Sequence, residues 1–123
     1  MLARVCYRCV PAALGLALLL VNAPFADAHA ILVEATPAAK STVAGPDLDV
    51  RLRFNSRIDG PRSRLTLVQP GGHARALPLE PQTAPDVLTA KAAALARGAY
   101  RLRWQVLAAD GHITRGEVPF QVK

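Results

Sequence analysis

Three segments of the sequence alternate strictly between apolar and polar residues, and this pattern restricts the chain to a β-sheet protein. In "LDVRLRF", residues 48–54, every second residue is apolar and the residues between them are Asp or Arg. The same period of two returns in "YRLRWQV", residues 100–106, and in "VPFQV", residues 118–122. Successive side chains of a strand point to opposite faces. Each segment therefore predicts a strand with one buried face.

Weaker strand candidates lie between these segments and are separated by the proline and glycine residues typical of turns. They cover residues 31–35, 64–69, 74–79 and 86–90. The alanine-rich run at 90–96 has helical propensity, but Gly98 limits it to about one turn. Seven short strands without a long helix predict a two-sheet antiparallel β-sandwich of the immunoglobulin-like, Greek-key kind.

The first 28 residues have the features of a secretory signal peptide. Two arginines precede an apolar run, and Ala26-Asp27-Ala28 closes it in the small-x-small form that signal peptidase recognises. The apolar run is about half of the roughly 20 residues that a membrane-spanning helix needs. We therefore expect cleavage after Ala28 and export of one soluble domain, residues 29–123. A segment left uncut would instead anchor the domain at the membrane.

Cleavage would remove every soft metal ligand and leave a basic domain. Cys6, Cys9 and Met1 are the only cysteines and the only methionine, and all three precede the cleavage site. The domain would then have no disulfide and no thiolate or thioether ligand. The formal net charge of +6 could indicate nucleic acid or acidic lipid as a partner. Because the arginines are spread through the strands, we interpret them as solvated faces and expect no nucleic acid partner.

The direction of the strands separates the three histidines of the predicted domain. If seven strands alternate in direction, the start of the first strand and the turn before the last strand share one end of the sandwich. That end holds His29 together with Asp110 and His112 of the turn "AADGHI". His73 follows the third strand, so it falls at the opposite end, and we interpret it as an exposed turn residue.

These grouped residues offer a donor set suited to a divalent metal ion. Cleavage after Ala28 would give His29 a free α-amine beside its imidazole Nδ1, and the two can form a six-membered chelate ring. With Asp110 and His112, the set has three nitrogens, one oxygen and no sulfur. It favours one Cu(II) per chain by the Irving–Williams order, while zinc stays open on donor type. Asp-Gly is also a common hairpin turn, so the motif alone more often marks only a turn.

At these residues the sequence resembles the CopC family of periplasmic copper-resistance proteins. The similarity covers the opening "HAILVEATPAAKSTV", the strand "DLDVRLRF" and, most specifically, the closing block "GAYRLRWQVLAADGHITRGEVPFQV". The resemblance implies a small cupredoxin-like β-sandwich in the periplasm that binds Cu(II) through the His29 amine and imidazole, Asp110 and His112. It also implies a role in copper tolerance or uptake, beside a CopD-type inner-membrane protein.

Two features differ from those of some family members. A methionine-rich loop that binds Cu(I) has no counterpart here, because Met1 is the only methionine. Some members also place a glutamate near the metal shortly after the second-strand phenylalanine, but here Phe54 is followed by Asn55, Ser56 and Arg57. The missing methionines therefore favour a protein that binds Cu(II) and not Cu(I), and the missing glutamate leaves the four main donors in place. We expect the protein to be a monomer.

Two other functions stay open for this sequence. An N-terminal histidine clamp also resembles the copper site of oxidative polysaccharide monooxygenases, which would make the protein an enzyme. Such enzymes usually have a much longer chain and need an open substrate surface, so we expect binding rather than catalysis. The third hypothesis is a metal-free interaction module of sandwich fold, in which the histidines bind no metal.

Overall fold

In the computed structural model, which describes residues 29–123, the chain folds into two β-sheets. The three-stranded sheet has the order β1-β3-β6, and the five-stranded sheet has the order β2-β8-β7-β4-β5. The strands are β1 (Leu32–Thr36), β2 (Thr42–Val43), β3 (Leu48–Phe54), β4 (Ile58–Val68), β5 (Ala74–Leu77), β6 (Val87–Ala92), β7 (Gly98–Ala108) and β8 (Ile113–Val122). The described residues include no helix long and apolar enough to cross a membrane. The predicted signal peptide, residues 1–28, lies outside them.

The core lies between the two sheets and consists of the alternating apolar residues. Leu52 and Phe54 of the smaller sheet and Leu102 of the larger sheet are fully buried. Trp104 is 8% exposed and packs edge-to-face on Phe54 across the core, with ring centroids 5.2 Å apart. Aromatic packing of this kind joins the sheets without help from a disulfide, since residues 29–123 contain no cysteine. The predicted β-sandwich is confirmed.

The domain has eight strands where the sequence predicted seven, because Thr42–Val43 forms the short strand β2. This strand pairs in parallel with β8 at the edge of the larger sheet, whereas all other strand pairs within residues 29–123 are antiparallel. β2 runs parallel to β8, and His29 before β1 lies 3.8 Å from Asp110 in the hairpin before β8, so β1, β2 and β8 all run away from the same end of the sandwich. The extra strand therefore does not change which turns share an end of the sandwich.

Two strands begin well before the residues that the sequence indicated. β4 begins at Ile58 rather than at residue 64, and its register with β7 is irregular between Asp59 and Arg64, which interrupts the alternation. β8 begins at Ile113 rather than at residue 118. Its early inward positions hold Thr114 and Gly116, which are not apolar, so the period of two is hidden there.

Gly116 makes room for the largest side chain of the core. It pairs with Trp104 across β7 and β8, and a Cβ built at Gly116 would overlap Trp104 Cζ2. Carbon atoms do not approach this closely, so Gly116→Ala would have to displace the indole. We expect this substitution to lower the free energy of unfolding by about 1–3 kcal/mol, as overpacking typically does. Urea unfolding followed by circular dichroism would measure the loss.

The matched control repeats Gly116→Ala in a Trp104→Phe background. Phenylalanine lacks the second ring that carries the clashing atoms, so the added methyl group should cost much less there. A loss of similar size in both backgrounds would contradict a steric role for Gly116 beneath the indole.

Candidate metal centre

His29 precedes β1, and its position is fixed by the residues that follow it. Ala30 is 1% exposed and belongs to the core, whereas the side chain of His29 is 45% exposed. Asn55, directly after β3, holds the backbone at Ile31 through two hydrogen bonds. The Ile31 N–H donates to Asn55 Oδ1 at 2.7 Å, and the Asn55 N–H donates to the Ile31 carbonyl at 2.9 Å. The segment that carries His29 is therefore attached to the end of β3.

Asp110 and His112 lie in the tight hairpin that joins β7 to β8. The Ala108 N–H donates to the His112 carbonyl at 2.8 Å, and the Gly111 N–H donates to the Ala108 carbonyl at 3.0 Å. Gly111 has a φ of 86°, a backbone conformation that glycine adopts without steric cost. The His112 N–H donates to Asp110 Oδ1 at 3.0 Å, so the aspartate also stabilises its own turn.

The fold brings the three predicted site residues together. Asp110 Oδ2 lies 2.8 Å from Nδ1 of His112 and 3.8 Å from Nδ1 of His29. The two imidazole rings meet edge-to-face with centroids 4.8 Å apart. The carboxylate therefore lies against both histidines, one from the start of the domain and one from its last hairpin.

Hydrogen bonds control the charge of Asp110 and the tautomer of His112. The backbone N–H of His112, followed by its side chain, holds the pKa of the Asp110 carboxyl below its ordinary value. The group therefore remains ionised at a lower pH than a free carboxyl would. An ionised carboxylate only accepts hydrogen bonds, so the proton in the 2.8 Å contact belongs to Nδ1 of His112. When this ring is neutral, Nε2 keeps the lone pair that a metal requires.

The cluster is suitable for one metal ion in geometry and in chemistry. One ligand atom from each of His29, Asp110 and His112 can be chosen so that all three lie within 4.8 Å of one another. Two nitrogen or oxygen ligands about 2 Å from a common ion lie at most about 4 Å apart, so small side-chain rotations would bring all three around one ion. The His112 side chain is 65% exposed, which gives an ion access from solvent.

His73 is not part of this cluster. It lies between β4 and β5, where its carbonyl accepts a hydrogen bond from the Gln69 N–H at 2.7 Å. The end of β4, Val68, pairs with Arg101 near the start of β7, whereas Asp110 follows the other end of β7. Arg101 and Ala108, the last residue of β7, are seven positions apart along the strand, which spans about 20 Å or more. The strand-direction argument therefore placed all three histidines correctly.

A comparison with protein families identifies the domain. The model of the CopC domain matches residues 32–123, which is most of the described chain. The protein belongs to the CopC family. The matched region includes Asp110 and His112 and begins three residues after His29.

Two solved structures agree with this assignment, and a curated protein is similar over most of the chain. CopC from Methylosinus trichosporium OB3b is 34% identical, with a TM-score of 0.70 over 77% of this chain and 94% of that chain. PcoC, a methionine-rich copper resistance protein from Escherichia coli, is 26% identical, with a TM-score of 0.64 over 78% of this chain and 100% of that chain. Protein YobA from Escherichia coli K12 is 29% identical over 103 residues, which cover 81% of this chain and 83% of YobA.

The sequence did not single out Asn55 as part of the site. The sequence drew attention to Asn55 only because it lies in the segment after Phe54 where some CopC proteins have a glutamate. Its role depends on an extended chain pairing at a strand end, and an asparagine directly after a strand predicts only a turn or a cap. The contact with Ile31 crosses 24 residues of sequence, which no local pattern reveals.

We predict that Asn55→Ala loosens the segment that carries His29. The Ile31 N–H would lose its acceptor, so its hydrogen exchange should become at least about tenfold faster, the equivalent of about 1.4 kcal/mol. Residues that support a metal ligand typically contribute 10–100-fold to affinity, so metal binding should weaken by at least about tenfold. Exchange measured by NMR and a metal titration would test both effects.

Asn55→Asp is the matched control because it keeps an acceptor oxygen at the same position. Its Ile31 N–H should exchange at nearly the original rate. If Asn55→Ala leaves both the exchange rate and the metal affinity unchanged, Asn55 does not position His29.

Proposed function

We propose that the protein is a periplasmic Cu(II)-binding protein of copper resistance or homeostasis, and that it binds one ion per chain. The observation that carries the proposal is the meeting of His29, Asp110 and His112 at one end of the sandwich. Membership of the CopC family supports copper as the ion, because the related PcoC is a copper resistance protein.

The proposed ligands are the α-amine and imidazole of His29, a carboxylate oxygen of Asp110 and the imidazole of His112. The amine becomes available only if the signal peptide is cleaved after Ala28. Three nitrogens and one oxygen suit the tetragonal geometry of Cu(II). Residues 29–123 contain no methionine or cysteine, so this domain lacks the soft ligands that Cu(I) prefers. In this respect it differs from PcoC, which is methionine-rich.

Asp110 has two tasks in the proposed site. One carboxylate oxygen accepts the His112 backbone N–H and keeps the hairpin closed. The other lies between the rings of His29 and His112, where it can bind the ion directly or orient the His112 ring with Nε2 towards it. Both tasks depend on the ionised carboxylate that the hydrogen bonds favour.

The exposure of the site suits an ion that is exchanged rather than permanently enclosed. His29 and His112 are both about half exposed or more, so another protein could approach the metal directly. We propose that the domain acts as a monomer that sequesters Cu(II) and carries it, with a CopD-type inner-membrane protein as the recipient. The proposed role is binding, and no catalytic step is assigned to the chain.

We predict that one extra residue before His29 sharply weakens Cu(II) binding. The extension converts the α-amine into an amide and removes one of the four donors. Changes in the residues around a metal ligand cost 10–100-fold in affinity, so loss of a direct ligand should cost at least about a hundredfold. The exported protein, with its N-terminus established by intact mass, would be titrated with Cu(II) and followed by EPR.

A variant with one residue added after Lys123 is the control, because it changes the length without touching the site. Its affinity should equal that of the unextended protein. Equal affinity in the N-terminally extended protein would reject the amine ligand.

We also predict that His112→Ala and Asp110→Ala each weaken Cu(II) binding by at least about tenfold, whereas His73→Ala leaves it unchanged. His73 is the matched control, since it is an exposed turn histidine at the other end of the domain. Thermal unfolding of each variant would separate loss of the site from loss of the fold. A large effect of His73→Ala together with a small effect of His112→Ala would show that copper binds elsewhere.

A further inference from the structure

The outer face of the five-stranded sheet gathers arginines that are far apart in sequence. Arg64 lies on β4, Arg101 and Arg103 on β7, and Arg115 on β8, and all four are exposed. These three strands are neighbours in the sheet. We call this set, together with Glu117 of β8, the arginine face.

The strand register brings these side chains into one compact patch. Gln105 pairs with Arg64 on one side and with Arg115 on the other. Arg103 occupies the adjacent row, where it pairs with Glu117. With strands about 4.8 Å apart and about 3.4 Å per residue, the patch is about 10 Å wide and about 14 Å long. The arginines that the sequence spreads along three strands therefore form one cluster.

The arginine face keeps a surplus of positive charge. Glu117 is shared by two arginines: it accepts from Arg103 Nε at 2.8 Å and lies 3.5 Å from Arg101 Nη1. Arg103, followed by Arg101, keeps the pKa of the Glu117 carboxyl below its ordinary value, although its limited burial opposes this shift. Arg64 has no ion pair or side-chain hydrogen bond within residues 29–123. The single carboxylate therefore leaves most of the arginine charge uncompensated.

The arginine face is also concave enough to receive an anionic group. Arg64, Arg103 and Arg115 line a concavity of about 440 Å³. The guanidinium of Arg115 is held by Gln105, whose Oε1 accepts from Arg115 Nε at 2.8 Å. Guanidinium groups present several donors in a fixed fork that matches phosphate oxygens.

The opposite sheet provides a contrast in the same molecule. On its outer face, Glu34 pairs with both Arg51 and Arg53, and Asp49 pairs with Lys91. Its three cations thus meet two carboxylates, so the charge there is nearly balanced. Near the metal end of the larger sheet, Asp59 pairs with Arg62 and does not offset the arginine face.

We propose that the arginine face binds a membrane surface rich in anionic phospholipid. Protein partners usually need a buried apolar or aromatic anchor. Among residues 29–123 the exposed large apolar side chains are Ile31, Val33 and Ile113, and of these only Ile113, two residues before Arg115 on β8, lies on this side of the sheet. A surface dominated by arginines, with a single isoleucine at its margin, instead matches the negative surface of a bilayer, which attracts lysine and arginine without a buried apolar anchor.

This contact would hold the domain with its metal end beside the bilayer. Arg115 lies on β8, three residues after His112 of the hairpin that precedes this strand, so the proposed copper site lies at one margin of the arginine face. The proposal does not depend on copper binding, because none of its residues belongs to the metal centre. Failure of one proposal therefore leaves the other standing.

The test uses the exported protein and vesicles of phosphatidylcholine with or without phosphatidylglycerol. Each arginine near an anionic surface strengthens binding by about fivefold, so Arg64→Gln/Arg103→Gln/Arg115→Gln should weaken vesicle binding by about a hundredfold. The matched control is Arg51→Gln/Arg53→Gln/Lys91→Gln, which removes the same charge from the other sheet and should weaken binding much less. Binding should also fall as salt is added, because salt screens exposed charges. Co-sedimentation would measure the bound fraction.

Arg64→Gln alone provides a variant that breaks no contact of the folded protein, with Lys91→Gln as its control. We expect about a fivefold loss for Arg64→Gln and a smaller one for Lys91→Gln. Equal losses of vesicle binding in the two triple variants would overturn the proposal, because the net charge of the protein alone would then explain the binding. Equal binding to vesicles without phosphatidylglycerol would overturn it as well. If the protein ignores anionic vesicles and binds polyglutamate instead, the face serves an acidic protein partner and the membrane proposal is wrong.

Discussion

The structure depends on the burial of two apolar sheet faces against each other. Residues 29–123 contain no cysteine, so no disulfide can hold the sheets together. The contact between Phe54 and Trp104 lies at the centre of this packing, and Gly116 allows it by leaving space beneath the indole. Once the inward faces are fixed, the outward positions and the ends of the strands are fixed too. The metal centre and the arginine face both follow from that constraint.

The strands that alternate without interruption could be predicted from sequence because each apolar residue meets the same core. The prediction of secondary structure failed where close packing, rather than hydrophobicity, determines which residue type a position holds. The alanine run at 90–96 has helical propensity, yet Ala90 and Ala92 lie in β6 and are 1% and 2% exposed. Their small size suits a crowded inner face, so tertiary packing overrides local preference. β2 has two residues and pairs with a distant strand, and so short a strand has no recognisable period.

The residues of the candidate site could be predicted more easily than the residues that position them. His29, Asp110 and His112 could be brought together from strand direction alone, because β2 continues the direction of β1 and leaves the count of reversals unchanged. Asn55 escaped notice because its partner is 24 residues away. The arginine face escaped for a related reason: β4, β7 and β8 are neighbours only after the sheet has formed. Sequence patterns describe single strands well, whereas contacts between strands need the order of the sheet.

The proposed ligands lie near opposite termini of the domain's sequence and belong to different sheets. His29 leads into β1 of the smaller sheet, while Asp110 and His112 belong to the hairpin that closes the larger one. An ion bound to all three would act as a cross-link that closes a loop spanning most of the described chain, much as a disulfide does in many small secreted domains. Such a cross-link restricts the unfolded chain as well as the folded one. Copper would then be a reversible cross-link in a domain without cysteines. Local opening of the segment before β1, or of the hairpin between β7 and β8, would release the ion.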